Sequence, residues 1–315
     1  MSGKHGRGTI LGKNQMAVLV AVGLALSFSL MGVWVRMMQG SFDTFQQVYL
    51  RILLAGLVAL FVFRKKFSQN LFSSIPRREW AIYGVRGFMA YTIGVAGFTV
   101  AVQHTSLGTI SFISALPILG LLAWIMFREK IPKKSFVPIG LSVVGLDLLT
   151  GIDLRNLSMG VGEWAAIVCM FGFDVGYLMS RMHDKKRNNF ENTTILLLVS
   201  WVPLLILSMI QREGILPHNL SPVAILGLVL SVVANIAGLY AINYVFTNLR
   251  AYIAGNILLL EGVFSLILGL LLYDEPIVGS VVLGGLIVVV SAIMINNINK
   301  DVEEAPDPLL DENIV

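Results

Sequence analysis

Charge is scarce in this chain. Of its 315 residues only 13% are Asp, Glu, Lys or Arg, while 56% are hydrophobic. A soluble domain carries about 25% charged residues, so too little polar surface remains here for a fold that faces water on all sides. A single cysteine, Cys169, rules out an intramolecular disulfide and any cysteine-based metal site. The four histidines are scattered, and none stands at a metal-ligand spacing. No G-x-x-x-x-G-K-[ST] loop is present, and neither is a Ser-His-Asp or zinc-protease pattern. No metal or cofactor is therefore expected. The net charge of +4 does not point to a nucleic-acid partner, because Lys and Arg sit in loops where membrane topology requires them.

What the chain has instead is ten apolar runs, over 16–37, 45–63, 80–102, 108–127, 136–150, 161–182, 194–210, 224–246, 251–272 and 279–298. Each is about 15–23 residues, which suits helices crossing a hydrocarbon core about 30 Å thick. Strict alternation over about ten residues, the mark of a β-barrel strand, is absent. The expected fold is an all-α membrane protein of ten transmembrane helices. The first run follows a polar, basic segment but is long enough to span, and no small-residue cleavage site follows it, so it is read as a helix and not a signal peptide. Eighteen of the 23 Lys and Arg fall in the two tails and in the loops around 64–79, 128–135, 181–193 and 247–250. Only Arg155 and Arg212 fall in the opposite loops, and Arg36, Arg51 and Arg86 lie within runs. This asymmetry places both termini in the cytoplasm. Short loops and the absence of a targeting segment point to a prokaryotic inner (plasma) membrane. The sequons at Asn192 and Asn219 are read as chance.

Polar landmarks recur at a nearly constant interval. Arg36-Met37 returns as Arg181-Met182, Glu129 as Glu275, and Ala81-Ile82-Tyr83-Gly84 as Ala224-Ile225-Leu226-Gly227. Five helices precede Gly151 and five follow it. Because five is odd, the second copy crosses the membrane in the opposite sense, giving two inverted five-helix repeats. The expected division is a cytoplasmic tail over 1–15, a first repeat over 16–150, a connecting loop over 151–160, a second repeat over 161–299 and a disordered acidic tail over 300–315.

The stretch from Arg86-Gly87 to Ala101, with Leu107-Gly108, Leu116-Pro117 and Phe127-Arg128-Glu129-Lys130-Ile131, resembles the first repeat of EamA-type transporters of the drug/metabolite transporter superfamily. Leu260-Glu261-Gly262-Val263-Phe264 and Tyr273-Asp274-Glu275-Pro276 resemble that family's second repeat, departing from it by placing Gly262 where a proline usually follows the glutamate. The resemblance covers about 15–298. It implies a ten-helix carrier of small organic metabolites, often an exporter, and not an enzyme.

Ionisable groups within the bilayer cost roughly 2.5–3.5 kcal/mol each on insertion scales, so each needs a reason. Asp174 and Glu261 are the deepest carboxylates, and they are candidates for proton coupling or for binding a substrate amine. The alternative is a neutral carboxylic acid holding two helices together. Gly172 and Gly176 bracket Asp174 in a G-x-x-x-G that allows close helix approach. Arg86 is read either as facing an inner vestibule or as snorkelling to headgroups, Arg51 as snorkelling, and Arg36 as an interfacial anchor. Tyr91, Thr92, Ser114, Tyr177, Asn235 and Tyr240 are mid-span polar groups able to line a small-molecule pocket. Pro117 and Gly262 are candidate hinges. The fifth and tenth runs are nearly bare of deep polar groups and are assigned to the periphery or a dimer contact. The charged turn Arg128-Glu129-Lys130 is read as a topological stop. The reading is a secondary carrier for amino acids, nucleobases or amphiphilic amines, acting as a monomer or homodimer in the lipid bilayer with a proton as candidate coupling ion. The alternatives are a membrane-embedded enzyme acting on lipid-linked substrates, or a channel or scaffold.

Overall fold

A computed structural model describes residues 13–67, 72, 75–105, 109–110, 113, 118–150, 159–184, 186–215, 217–273 and 279–304. Every named element among them is a helix, with one isolated β-bridge between Gln39 and Phe42. The helices are α1 (Lys13–Met38), α2 (Thr44–Val62), α3 (Arg77–His104), α4 (Ile118–Phe127), α5 (Phe136–Thr150), α6 (Val161–Met182), α7 (Asn189–Ile210), α8 (Pro222–Asn248), α9 (Ala251–Leu258), α10 (Leu260–Tyr273) and α11 (Gly279–Glu304). Among the described residues eight helical stretches are long and apolar enough to cross a membrane, with α9 and the start of α10 counting as one. The protein is an integral, multi-pass membrane protein. Helices α4 and α5 are shorter as described, at 10 and 15 residues.

Several helices begin before the apolar runs do, because their first turns are polar caps that a hydropathy pattern does not register. The Asn188 side chain accepts from Glu191 N to open α7, five residues ahead of the run at 194. Ser221 does the same for α8 through Ala224 N, with Pro222 at the first helical position. At the other end of the chain α11 continues to Glu304, beyond the expected start of the tail at 300. Residues 151–158 of the connecting loop, and Ser114 and Pro117, lie outside the described residues.

Packing follows a reciprocal pattern. Helices α2 and α7, α5 and α11, and α4 and α9 each pack together, and each pair joins an element of the first half to its counterpart in the second. The contacts of α1 on α8 and of α3 on α6 are counterparts of each other, as are those of α2 on α8 and α3 on α7, and of α1 on α10 and α4 on α6. The α3–α6 contact brings two backbones close together. A Cβ on Gly172 would stand 2.6 Å from Met89 O, and one on Gly176 would stand 2.6 Å from Ala90 Cβ. The partner segment of α3 at this contact, Phe88–Val95, is a π-helical turn. The expected G-x-x-x-G contact is thus made against a locally widened helix.

Polar contacts gather at the two ends of the bundle. At the Lys/Arg-rich end, Arg181 Nη1 meets Glu129 Oε2 at 2.5 Å, and Glu129 Oε1 accepts from Ala251 N at 2.8 Å. Arg181 also donates to Phe246 O and Leu249 O, at 2.7 and 2.8 Å. This corrects the reading of the Arg128-Glu129-Lys130 turn as a mere stop. Arg128 takes a left-handed conformation (φ 56°) as α4 ends, and the next residue, Glu129, ties the end of α6 to the start of α9, while Arg181 holds the end of α8. Nearby, the Glu79 carboxylate accepts from Asp184 N and His183 Nδ1, both at 3.1 Å. At the opposite end Glu213 accepts from Phe45 N and Gln46 N, at 3.0 and 2.8 Å. It thereby satisfies two orphan donors at the start of α2. Thr105 Oγ1 donates to Glu163 Oε1 at 2.5 Å, tying the end of α3 to the start of α6.

Two stability predictions follow from these contacts. Gly172→Val inserts side-chain atoms where no space exists, and should cost about 1–3 kcal/mol, read as a lower unfolding temperature in detergent. Burial, with the Arg86 and Arg187 charges nearby, pushes the His183 imidazole down to about 3. The unfolded chain therefore binds the extra proton first as pH falls below its ordinary value of about 6.5. This contribution to stability is complete above that pH and shrinks below it, by up to about 1.4 kcal/mol per pH unit. His183→Gln should flatten the decline in unfolding temperature between pH 7 and 5, and an unchanged slope would contradict this assignment.

Candidate functional site

A cavity of about 180 Å³ lies where both halves of the chain converge, and its wall draws on α1, α3 to α6 and α8 to α10. Six of the nine residues singled out in the sequence stand in this wall: Arg86, Tyr91, Asp174, Tyr177, Asn235 and Glu261. Their positions follow from local structure. Tyr91 lies on the π-turn of α3, where the altered helical phase sets its ring toward the cavity. Asp174 sits between Gly172 and Gly176 and is 8% exposed. Glu261 lies one residue after a helix break. Helix α9 ends at Leu258, α10 begins at Leu260, and Gly262 N donates to Leu259 O at 3.1 Å. The carboxylate thus belongs to the first turn of α10. Gly262 has a packing role as well, since a Cβ there would stand 2.8 Å from Leu146 Cδ2 on α5.

The middle of the wall is aromatic. Tyr177 stacks with Phe28 at 6.2 Å, Phe173 at 5.7 Å and Phe246 at 5.3 Å between ring centroids. Both Asp174 and Glu261 lie within electrostatic reach of Tyr177 and Cys169. The two carboxyls therefore serve one space from opposite halves of the chain. Asn235 spends one amide hydrogen on Ser231 O of its own helix, at 2.7 Å.

Arg86 is 1% exposed and does not snorkel. Its Nε donates to Gly176 O at 2.9 Å and its Nη2 to Asn243 Oδ1 at 2.5 Å, bridging α3 to α6 and α8. Arg51 is equally enclosed, at 1% exposure, which corrects the expectation that it reaches the headgroups. It stands within electrostatic reach of Tyr91 instead. Thr92 and Tyr240 are not in the cavity wall. The Thr92 hydroxyl is buried without a partner, and the Tyr240 ring packs on Phe190 at 4.9 Å.

Residues not singled out in the sequence complete the site. Asn256 donates to Ser142 Oγ at 3.1 Å and accepts from Ser291 Oγ at 3.2 Å, joining α9, α5 and α11. Asn243 donates to Asn189 Oδ1 and Thr193 Oγ1, at 2.8 and 3.2 Å. An uncharged amide within an apolar run was the available signal for both. Among the described residues no group of three or more His, Cys, Asp or Glu stands together as metal ligands. The arrangement is an apolar, aromatic-walled chamber with a few convergent polar groups, suited to holding a small organic solute.

The model of the EamA-like transporter family matches residues 15–151 and again 160–297. One solved crystal structure, described simply as that of a protein, superposes with a TM-score of 0.73 over 90% of this chain and 99% of its own, at 14% identity. At that identity the likeness speaks to the fold alone. No curated protein matches by sequence.

Proposed function

The chain belongs to the EamA-like transporter family, and we propose that it is a secondary carrier moving small organic metabolites outward by alternating access. The observation that carries this reading is the aromatic-walled cavity built from both halves of the chain, with Asp174 contributed by α6 and Glu261 by α10. A channel would need a continuous polar stripe, and an enzyme a cluster of reactive groups at one interface. This chamber is central, and apolar atoms make up most of its wall.

The proposed architecture is ten spans in two inverted five-helix repeats, over 16–150 and 161–299. It adds the runs 108–127 and 136–150 to the eight longer helices. Reciprocal packing supports it, because a two-fold axis in the membrane plane pairs each helix with its counterpart or pairs two contacts with each other. The distribution of Lys and Arg supports cytoplasmic termini, which makes the Glu129–Arg181 clasp the inner closure. Breaks at the π-turn of α3 and at Leu259, beside Gly262, are the proposed points of bending. Asp174 and Glu261 are the proposed sites of proton or amine binding. The outer faces of α5 and α11, where Val144 and Leu286 are more than half exposed, meet lipid or a second copy.

Reconstitution into proteoliposomes tests the reading, using a panel of amino acids, nucleobases and amphiphilic amines with and without a pH gradient. Saturable flux is expected, and unsaturable conductance would overturn it. Asp174→Asn and Glu261→Gln should fold normally yet lose coupling, whereas unchanged pH-dependent flux in both would remove them from the mechanism. For the inner closure, Glu129→Gln removes a charge-assisted contact. A shift of about 1.4 kcal/mol toward the open form corresponds to tenfold. In inside-out vesicles a thiol reagent should then modify Cys169 about tenfold faster. Equal rates would show that the clasp does not gate access.

A further inference from the structure

Two guanidinium groups are buried beside the cavity, and neither is neutralised in an ordinary way. Among the described residues no carboxylate lies within ion-pair distance of Arg86 or Arg51. Every protein partner of Arg86 is neutral: a backbone carbonyl of α6 and the amide of Asn243. Asn243 is held in turn by Asn189 and Thr193, also neutral. Two of the three guanidinium nitrogens are thus anchored from two helices, which fixes the plane of the group. The third, Nη1, is buried and has no partner, although Arg86 stands in the cavity wall.

Arg51 adds a second positive charge. Its Nε and Nη2 are both buried and unpartnered, and Tyr91 is within electrostatic reach of both arginines. A buried cation without a counter-ion is strongly disfavoured, and a buried N–H left unmade loses its full solvation. Both deficits point to an anionic oxygen as the missing partner, and Arg86 itself lines the cavity. A purely structural arginine would have its third guanidinium nitrogen paired as well.

We propose that the cavity contains a carboxylate subsite, in which Arg86 Nη1 donates to the carboxylate of the transported solute while its apolar body lies against the Phe28, Phe173 and Tyr177 rings. This rests on the carrier reading and narrows it to organic acids and amphoteric solutes. Amines that lack a carboxylate are excluded. Arg86 cannot be replaced by lysine here, since an ammonium cannot hold two fixed partners and present a third donor in one plane. The anchored guanidinium loses little freedom when the solute arrives.

The test is calorimetric binding to the purified full-length protein, which does not depend on flux. Three probes share one body: 3-phenylpropionate, its neutral amide 3-phenylpropionamide, and phenethylamine. The acid should bind at least about tenfold tighter than the amide, the scale of a charge-assisted hydrogen bond in a buried site. Phenethylamine should bind no better than the amide. Arg86→Gln should abolish the preference for the acid. Should that variant fail to fold, Asn243→Asp provides a second route. It keeps the side-chain shape but places a carboxylate against Nη2, and should erase the preference by neutralising the guanidinium. Equal binding of acid and amide, tighter binding of the amine, or a preference that survives in Arg86→Gln or Asn243→Asp would overturn the proposal. So would absent binding of the acid, and in that case saturable flux of another solute would leave the carrier reading standing.

Discussion

Hydrocarbon offers no hydrogen bonds, so a polar group carried into the bundle must find its partner on another helix or face an internal space. That constraint explains where the described helices touch and where they do not. Arg86 finds two of its partners on α6 and α8, Asn256 finds its partners on α5 and α11, and Tyr83 finds Asn192 of α7. All but the Asn256–Ser291 bond cross from one half of the chain to the other. The halves are thus held together by the groups that a bilayer would reject. Small residues such as Gly172 and Gly176 bring the backbones close enough for such contacts to form.

The same constraint locates the irregular backbone. A π-turn and a helix break each disturb the i to i−4 ladder, and lipid would leave the freed groups unsatisfied. Both occur beside the cavity, at Phe88–Val95 and at Leu259. There, neighbouring helices and the chamber itself supply the surroundings that lipid cannot. These two distortions bring Tyr91 and Glu261 into the cavity wall. Irregularity and site thus coincide for a physical reason: irregular backbone is tolerated in a membrane only where protein or a cavity meets it.

The helical class, eight of the ten expected spans and the deep charges were legible, the charges because charge in an apolar run is rare enough to stand out. Asp174, Glu261 and Arg86 were found on that basis, and the structure brings them around one cavity. What could not be read was which face a residue occupies. In a helix apolar all round, hydrophobic periodicity carries little phase information, so Tyr240 was grouped with Asn235 although its ring packs on Phe190. Thr92 was grouped with Tyr91, whose phase is set by a π-turn that no local motif announces. Arg51 was read from its depth alone, and depth near a boundary suggested snorkelling. Its enclosure depends on the packing of α2 against α7. Glu129 was misjudged for a related reason, because a charge in a loop reads as topology until its partner, 52 residues away, is known. Asn243 and Asn256 carry no charge, and so gave only a faint signal.

The polar groups also divide by how firmly they are held. At the bundle ends, Glu129 and Arg181 have side chains 13% and 18% exposed. Water can reach both as they separate, so their contact is reversible at modest cost. Arg86 has no such escape. Its anchors lie in the interior, and breaking them would strand a charge where nothing replaces them. The geometry therefore confines movable polar contacts to the ends and fixed ones to the level of the cavity. For the alternating-access carrier proposed above, that distribution would let the end closures exchange while the cavity wall keeps its charge.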